Sequence, residues 1–599
     1  MPLDTLSDDV DAGVAGCVSA WLEKIERASR NADAEAIAAL FDAGSHWRDV
    51  IAFGWDITTT SGAGSIGARW ADRARDIEPR NFHLPVGRVA PRRVVRGGEP
   101  VIEAIFAFET CHGVGNGVVR MRAGEGRDLP DAAWIVSTTL EDLSKHGITD
   151  GQSLAADAFS RDFGGENWLD KRNRRDAYDG REPTVVVVGA GQAGLGIAAR
   201  LTALGVDTLL IDAHTRIGDN WRKRYHSLTL HNEAHVNHLP FLPFPKTFPV
   251  FIPKDKLANW FESYADIMDL SVWTGTRLTS GSYDDDGRWT LALDQGEAGV
   301  RRVRPKHVVF ATGVSSIPIA PNIPGLDDFN GTVMHSGAYT DGADWSSKRA
   351  IVIGTGNSAH DVAQDLEASG ADVTMVQRSS SYIVSLSQAQ KVYAIYEEGP
   401  SVDDCDLITT AGPYDFLLQS YKLSTAAMKV ADKELLDGLS RAGFKLDDGA
   451  PDGTGFQMKY LRRGGGYYFN VGASDLIASG RIKLINAADI VTYGPAGAEL
   501  TDGSTVEADL IVAATGYKNQ QETVRQYLGS EIADRIGPVW GFGEGADKGD
   551  GELRNMWRPT AQPGLWFTAG SLAQCRIYSK YLALQIAAEE AGLATRTAQ

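Results

Sequence analysis

Residues 184–212, which read TVVVVGAGQAGLGIAARLTALGVDTLLID, constrain the fold more than any other stretch of the chain. The valines from Val185 to Val188 read as a short strand buried on both faces. The chain then runs into Gly189-Ala190-Gly191-Gln192-Ala193-Gly194, a helical pattern, and a second apolar strand ending in Asp212. Each glycine has a separate task. Gly189 permits the tight turn, Gly191 lets backbone approach a pyrophosphate, and Gly194 lets the helix pack close to the strand. The helix start at Gln192 and Ala193 offers free N–H groups and a positive dipole end to phosphate, and Asp212 is placed to accept from a ribose diol. The order strand, glycine corner, helix, strand, acid predicts a dinucleotide-binding unit in a parallel sheet.

A second corner follows. A strand over 350–353 leads into Gly354-Thr355-Gly356-Asn357-Ser358-Ala359, then a helix to Ala368 and a strand over 373–376. The closing acid is absent, and Gln377-Arg378-Ser379-Ser380 stands in its place. A cation and hydroxyls at Arg378 and Ser379 suit a ribose 2′-phosphate, which a carboxylate would repel; an ordinary surface arginine at a strand end is the plainer alternative. Two corners, one closed by an acid and one by an arginine, ask for two dinucleotides, and the natural pair is FAD with NADPH.

Other stretches belong with these corners. A strand over 307–310 ends in Ala311-Thr312-Gly313, and LIVAATGY at 510–517 repeats that ending at Thr515, Gly516 and Tyr517. The segment 218–265 carries Trp221, Arg222, His231 and Asn232 among prolines and aromatics that forbid regular structure until about Asp255, as in a loop that covers a ligand. Residues 383–444 read as helical and are placed to wall a substrate cavity.

Composition excludes several classes. A net charge of −19 argues against nucleic-acid and anionic-membrane partners. Cys17, Cys111, Cys405 and Cys575 lie far apart with no CxxC, which removes a zinc site and a redox-active disulfide from consideration. The acidic start MPLDTLSDDVDAG lacks a signal peptide's features, so a soluble, cytoplasmic protein is expected. The first 165 residues read as a separate α+β unit, with helices over 15–29 and 34–41 followed by strands over 101–110, 118–122 and 133–140. The expected plan is this unit (1–165), a linker (166–182), the first part of an FAD-binding domain (183–340), an NADPH-binding domain with a helical insert (341–480) and the second part of the FAD-binding domain (481–599). The overall class is therefore α/β, with two Rossmann-like domains behind an α+β domain.

Two resemblances bear on function. The stretch LFDAGSHWRDVIAFGWDITTTSGAGSI resembles SnoaL-like members of the nuclear-transport-factor-two superfamily, which implies a cone-shaped domain, often a dimerisation or binding module. In it Trp47, Arg48, Asp49, Trp55 and Asp56 would line or brace a pocket. Between the two corners, Phe329 to Tyr339 (FNGTVMHSGAY) matches the FxGxxxHxxxY signature of class B flavin-containing monooxygenases. Baeyer–Villiger members carry tryptophan where this chain has Tyr339, so the resemblance favours the heteroatom-oxidising and YUCCA-like branches over oxidation of a ketone. It implies that NADPH reduces FAD, dioxygen adds to give a flavin hydroperoxide, and one oxygen passes to a small organic substrate. It also places His335 where the domains cross and Asn232 near the flavin. An NADPH oxidase or reductase without oxygen insertion is the competing enzyme class, and a homodimer is compatible with the N-terminal resemblance.

Overall fold

The computed structural model describes residues 12–123, 129–149, 151, 163–449, 451–543 and 551–594. In the N-terminal unit, helices Ala12–Arg30 and Ala63–Ile77 lie against a seven-stranded sheet. Val14, Val18, Trp21, Leu22 and Ile25 recur at three- and four-residue spacing and are buried, which is why the first helix forms and where it packs. The strands expected from alternation are Glu99–Glu109, Val114–Arg122 and Ala133–Leu140. The second helix is shorter than its pattern suggests: it ends at Ala38, and Phe41 opens the strand Phe41–Val50.

That strand's alternation separates the residues expected at one pocket. Trp47 Nε1 donates to Thr138, and Asp49 accepts from the Thr138 hydroxyl and from the N–H groups of Ala52 and Phe53, all inside the unit. Arg48 points the other way, to Glu552, and Asp56 pairs with Arg558. Trp55 lies against the His112 ring. Further ion pairs, Arg88 with Asp404, Arg92 and Arg96 with Glu398, and Lys580 with Glu141, fasten this unit to the rest of the chain.

Two five-stranded parallel sheets carry the two corners. The first runs Ser271–Trp273, Thr208–Ile211, Val185–Val188, His307–Phe310, Leu565–Phe567. The second runs Thr332–His335, Leu510–Ala513, Arg349–Ile353, Asp372–Gln377, Lys483–Asn486. The second sheet therefore takes in strands on both sides of the limits 341 and 480, because residues 332–335 and 510–513 complete its ladder instead of joining the first sheet.

The segment 383–444 is helical only from Leu386 onward. Tyr382–Ser385 is a strand paired in parallel with Tyr467–Asn470, and the helices Val402–Thr410, Tyr414–Ala431 and Lys433–Arg441 follow. Its β-branched core, Ile383-Val384, prefers a pleated partner to a helix. Trp168–Ala177 is a short helix closed by a capping box between Asn167 and Asp170. The chain ends on the strand Leu565–Phe567 and the long helix Leu572–Glu590, which packs on the helix of the first corner. No helix among the described residues is long and apolar enough to cross a membrane.

Candidate functional site: two glycine corners and an aromatic cavity

The first corner has the geometry a pyrophosphate needs. Gly189 sits at φ +107°, and a Cβ there would stand 2.8 Å from the Ala311 carbonyl oxygen. A Cβ on Gly194 would come within 1.8 Å of the Gly189 oxygen, so only glycine lets the helix Gln192–Ala203 seat this close to its strand. Gly191, the N-cap, has no side chain to satisfy the first-turn N–H groups of Gln192, Ala193 and Gly194, which stay available to an anion. Asp212 accepts from the Ala190 N–H at 2.7 Å and from the backbone and ring of His214. Burial opposes its charge, but these donors win and hold the carboxyl below its usual range.

A cavity of about 900 Å³ opens from this corner. It brings together Gly189, Gly191, Gln192, Ala193, Asp212, Trp221, His231, Asn232, Thr312 and Gly313. Two buried polar atoms at this end, Asn220 Oδ1 and Thr312 Oγ1, have no protein partner, as expected of groups that meet a polar ligand. These features fit an FAD. Ser571 to Gln574, at the capped start of the C-terminal helix, line the same end, and Gln192 Nε2 donates to the Gly570 oxygen. Trp221 Nε1 donates to Gln192 Oε1 at 3.3 Å, which folds the loop over the corner. Arg222 is turned away, to Asp219 and Asn259. His231 packs edge-on against Phe469, and burial pushes its pKa down to about 4, so it is neutral. Asn232 donates to the Tyr393 phenol oxygen at 2.9 Å.

The second corner repeats the backbone logic. Gly354 sits at φ +125°, where a Cβ would stand 2.6 Å from the Ala514 oxygen, and Gly356 caps the helix Asn357–Ala368 without a side-chain bond. Asn357 Oδ1 accepts from the Phe469 N–H at 3.0 Å, while Ser358 and Ala359 continue the first turn. Arg378 and Ser379 are exposed just past the strand Asp372–Gln377, and Arg378 has no side-chain partner among the described residues. An uncommitted cation beside a free helix start fits an NADP phosphate.

The two corners do not line the same cavity. The cavity takes in none of residues 354–359, 378 or 379, because Tyr467 and Phe469 of the strand Tyr467–Asn470 stand between. His335 also lies outside it, as do Gly194, Arg222, Thr515, Gly516 and Tyr517. His335 Nδ1 accepts from the Gly337 N–H, so Nε2 carries the proton and donates to the Gly516 oxygen at 3.2 Å. Thr515 and Gly516 bond to Ile319, Tyr517 bridges Pro318, and the His335 ring stands edge-on to Tyr517. These residues lash together the two segments that cross between the sheets.

Arg48, expected to line or brace a pocket of the N-terminal unit, lines this cavity instead, and four further lining residues were not singled out from the sequence: Tyr393, Gln457, Glu552 and Tyr578. They sit on separate elements with no common spacing, so nothing local announces them. All four cysteines are free.

Two nucleotide folds of this kind, joined by paired crossings and flanked by a ligand-sized cavity, define a two-dinucleotide oxidoreductase. Residues 186–396 match the family model described as pyridine nucleotide-disulphide oxidoreductase. Indole-3-pyruvate monooxygenase YUCCA1 of Oryza sativa subsp. japonica is 30% identical over 353 residues, covering 59% of this chain and 80% of the relative. Probable indole-3-pyruvate monooxygenase YUCCA4 of Arabidopsis thaliana is 30% identical over 339 residues, covering 56% and 76%. An oxidised steroid monooxygenase bound to NADP shares the fold at 20% identity and a TM-score of 0.50, covering 68% of this chain and 85% of that one. The chain belongs to the flavin-dependent monooxygenases, oxidoreductases whose members use FAD and NADPH.

Proposed function

We propose that this protein uses NADPH and dioxygen to transfer one oxygen atom to a small organic substrate, by heteroatom oxidation or by oxidative decarboxylation of a 2-oxo acid. The observation that carries the reading is the continuity of the cavity: the first corner and an aromatic-walled chamber share one space of about 900 Å³. FAD held there supplies hydride acceptance and oxygen activation.

The protein's own part is binding, orientation and exclusion of water. The free N–H groups of Gln192, Ala193 and Gly194 take the pyrophosphate, and the ionised Asp212 takes ribose hydroxyls. Trp221 and His231 form the cover, and a neutral His231 adds no charge to a site that must stay dry. Asn232, tied to Tyr393, positions that phenol. Arg378 and Ser379 with residues 354–359 would hold the phosphates of NADPH. His335 is a lock on the crossings at 317–319 and 515–518 and not a base, since both ring nitrogens are already committed to backbone. We read the N-terminal unit as the SnoaL-like cone, supported by its helices lying against one mixed sheet.

The test is stoichiometry. With sulfide, amine and 2-oxo acid substrates in turn, one productive class yields one oxygenated product per NADPH and per dioxygen. Release of all reducing equivalents as peroxide with every class refutes the reading in favour of an oxidase.

A further inference from the structure

One end of the cavity is built with a residue from the N-terminal unit. Arg48, on the strand Phe41–Val50, is buried, and its Nε and Nη2 each donate to a Glu552 oxygen at 2.7 Å. Its Nη1 donates to the Thr410 carbonyl at 2.9 Å and to the phenol oxygen of Tyr578 at 3.2 Å. Tyr578 lies on the C-terminal helix four residues after Gln574, about 6 Å along the axis from the turn that lines the cofactor end. Its ring is stacked on Trp557 at 4.4 Å and 13°. The phenol oxygen thus accepts from a guanidinium while its own proton has no acceptor among the described residues. A phenol fixed in this way is a hydrogen-bond donor facing the cavity it lines.

We infer that Tyr578 grips an acceptor oxygen of the substrate and that Arg48 is the residue that positions it, so the N-terminal unit is part of the substrate site. The inference rests on the monooxygenase reading and narrows its substrate class. The cations of this end already face carboxylates, Arg48 with Glu552 and Arg558 with Asp56. An incoming carboxylate here would meet Glu552 with both neighbouring cations engaged, the other lining arginines, Arg224 and Arg277, following Trp221 and Thr276 at the corner end. The walls at Tyr421, Phe456 and Trp557 are aromatic. The fitting ligand is an uncharged, flat molecule with one acceptor oxygen, which favours heteroatom oxidation over the 2-oxo acid within that reading.

The test uses the full-length holoenzyme and three probes of one shape: acetophenone, α-methylstyrene, in which CH₂ replaces the carbonyl oxygen, and benzoate. Binding is read from the perturbation of flavin absorbance. Acetophenone is expected to bind tightest. Tyr578→Phe is expected to weaken it about tenfold, the loss of one neutral hydrogen bond, and to leave α-methylstyrene unchanged. Arg48→Met is expected to lose the same acetophenone preference and Arg48→Lys to restore part of it. An unchanged preference in Tyr578→Phe, tightest binding of benzoate, or no binding of any probe by the wild type overturns the inference. A wild-type flavin that NADPH does not bleach overturns the monooxygenase reading instead, independently of the probes.

Discussion

Replacing Gly191 with alanine separates cofactor binding from folding. Gly191 has φ −81°, which alanine adopts without strain. The added Cβ meets only Asn220 Nδ2 at 2.9 Å, the end of a side chain that can turn aside, so the apoprotein is expected to fold with its stability nearly unchanged. Gly194→Ala is the contrasting variant. Its Cβ would stand 1.8 Å from the Gly189 oxygen and 3.2 Å from Leu210, so the helix must lift off its strand, at a cost of about 1–3 kcal/mol or more. At Gly191 the methyl group instead fills the approach of the pyrophosphate and costs one or two charge-assisted hydrogen bonds, each about 1.5–3 kcal/mol. That corresponds to a loss of FAD affinity of roughly tenfold to a thousandfold or more. The assay is titration of deflavinated protein with FAD by fluorescence quenching, paired with thermal unfolding of the apoprotein. Wild-type FAD affinity in Gly191→Ala, or an apoprotein destabilised as much as Gly194→Ala, would refute the assignment of this corner.

Other outcomes follow from the same geometry. Arg378→Ala is expected to weaken NADPH by about 1–3 kcal/mol and leave NADH unchanged, read from the dependence of flavin reduction on each nucleotide; equal effects on both would remove the phosphate role. Glu552→Gln leaves the buried Arg48 guanidinium short of a counter-charge, and a loss of about 3–5 kcal/mol of unfolding free energy is expected in denaturant titration. Burial pushes the His231 and His360 pKa values from 6.5 down to about 4, so between those values the unfolded chain binds more protons than the fold. Their contribution, at most about 3 kcal/mol each, is present above pH 6.5 and lost as pH falls towards 4. Asp49 acts oppositely, since burial raises its pKa to about 7 and its contribution is lost as pH rises through that value. A His231→Asn, His360→Asn double variant with an unchanged slope of stability between pH 4 and 6.5 would contradict the histidine part.

Both corners were legible because their requirements are local. A glycine at positive φ, a glycine under a carbonyl and an N-cap without a side chain are all set within a dozen residues of one strand. Domain limits were less legible, since residues 332–335 and 510–513 join their sheet through partners over a hundred residues away. The strand Tyr382–Ser385 was hidden for the same reason: it forms only because Tyr467–Asn470 arrives beside it. His335 stood out as part of a motif, but only the bonds to Gly337 and Gly516 show which of its nitrogens are committed. The cavity wall was legible in part, since residues 383–444 supply Tyr393 and Tyr421 to it, but the meeting of Arg48 with Glu552 and Tyr578 was not. Arg48 lies some five hundred residues from Glu552 and Tyr578 and meets them only because the N-terminal unit is clamped onto the rest by buried ion pairs.

The central claim, that the first corner holds a flavin which the second corner's nucleotide reduces, is tested most directly by anaerobic stopped-flow mixing of the purified protein with NADPH and with NADH. The account predicts one FAD per chain, bleached by NADPH well ahead of NADH at equal concentration. A chain that neither retains nor takes up FAD, or a bound flavin that neither nucleotide bleaches, would contradict it.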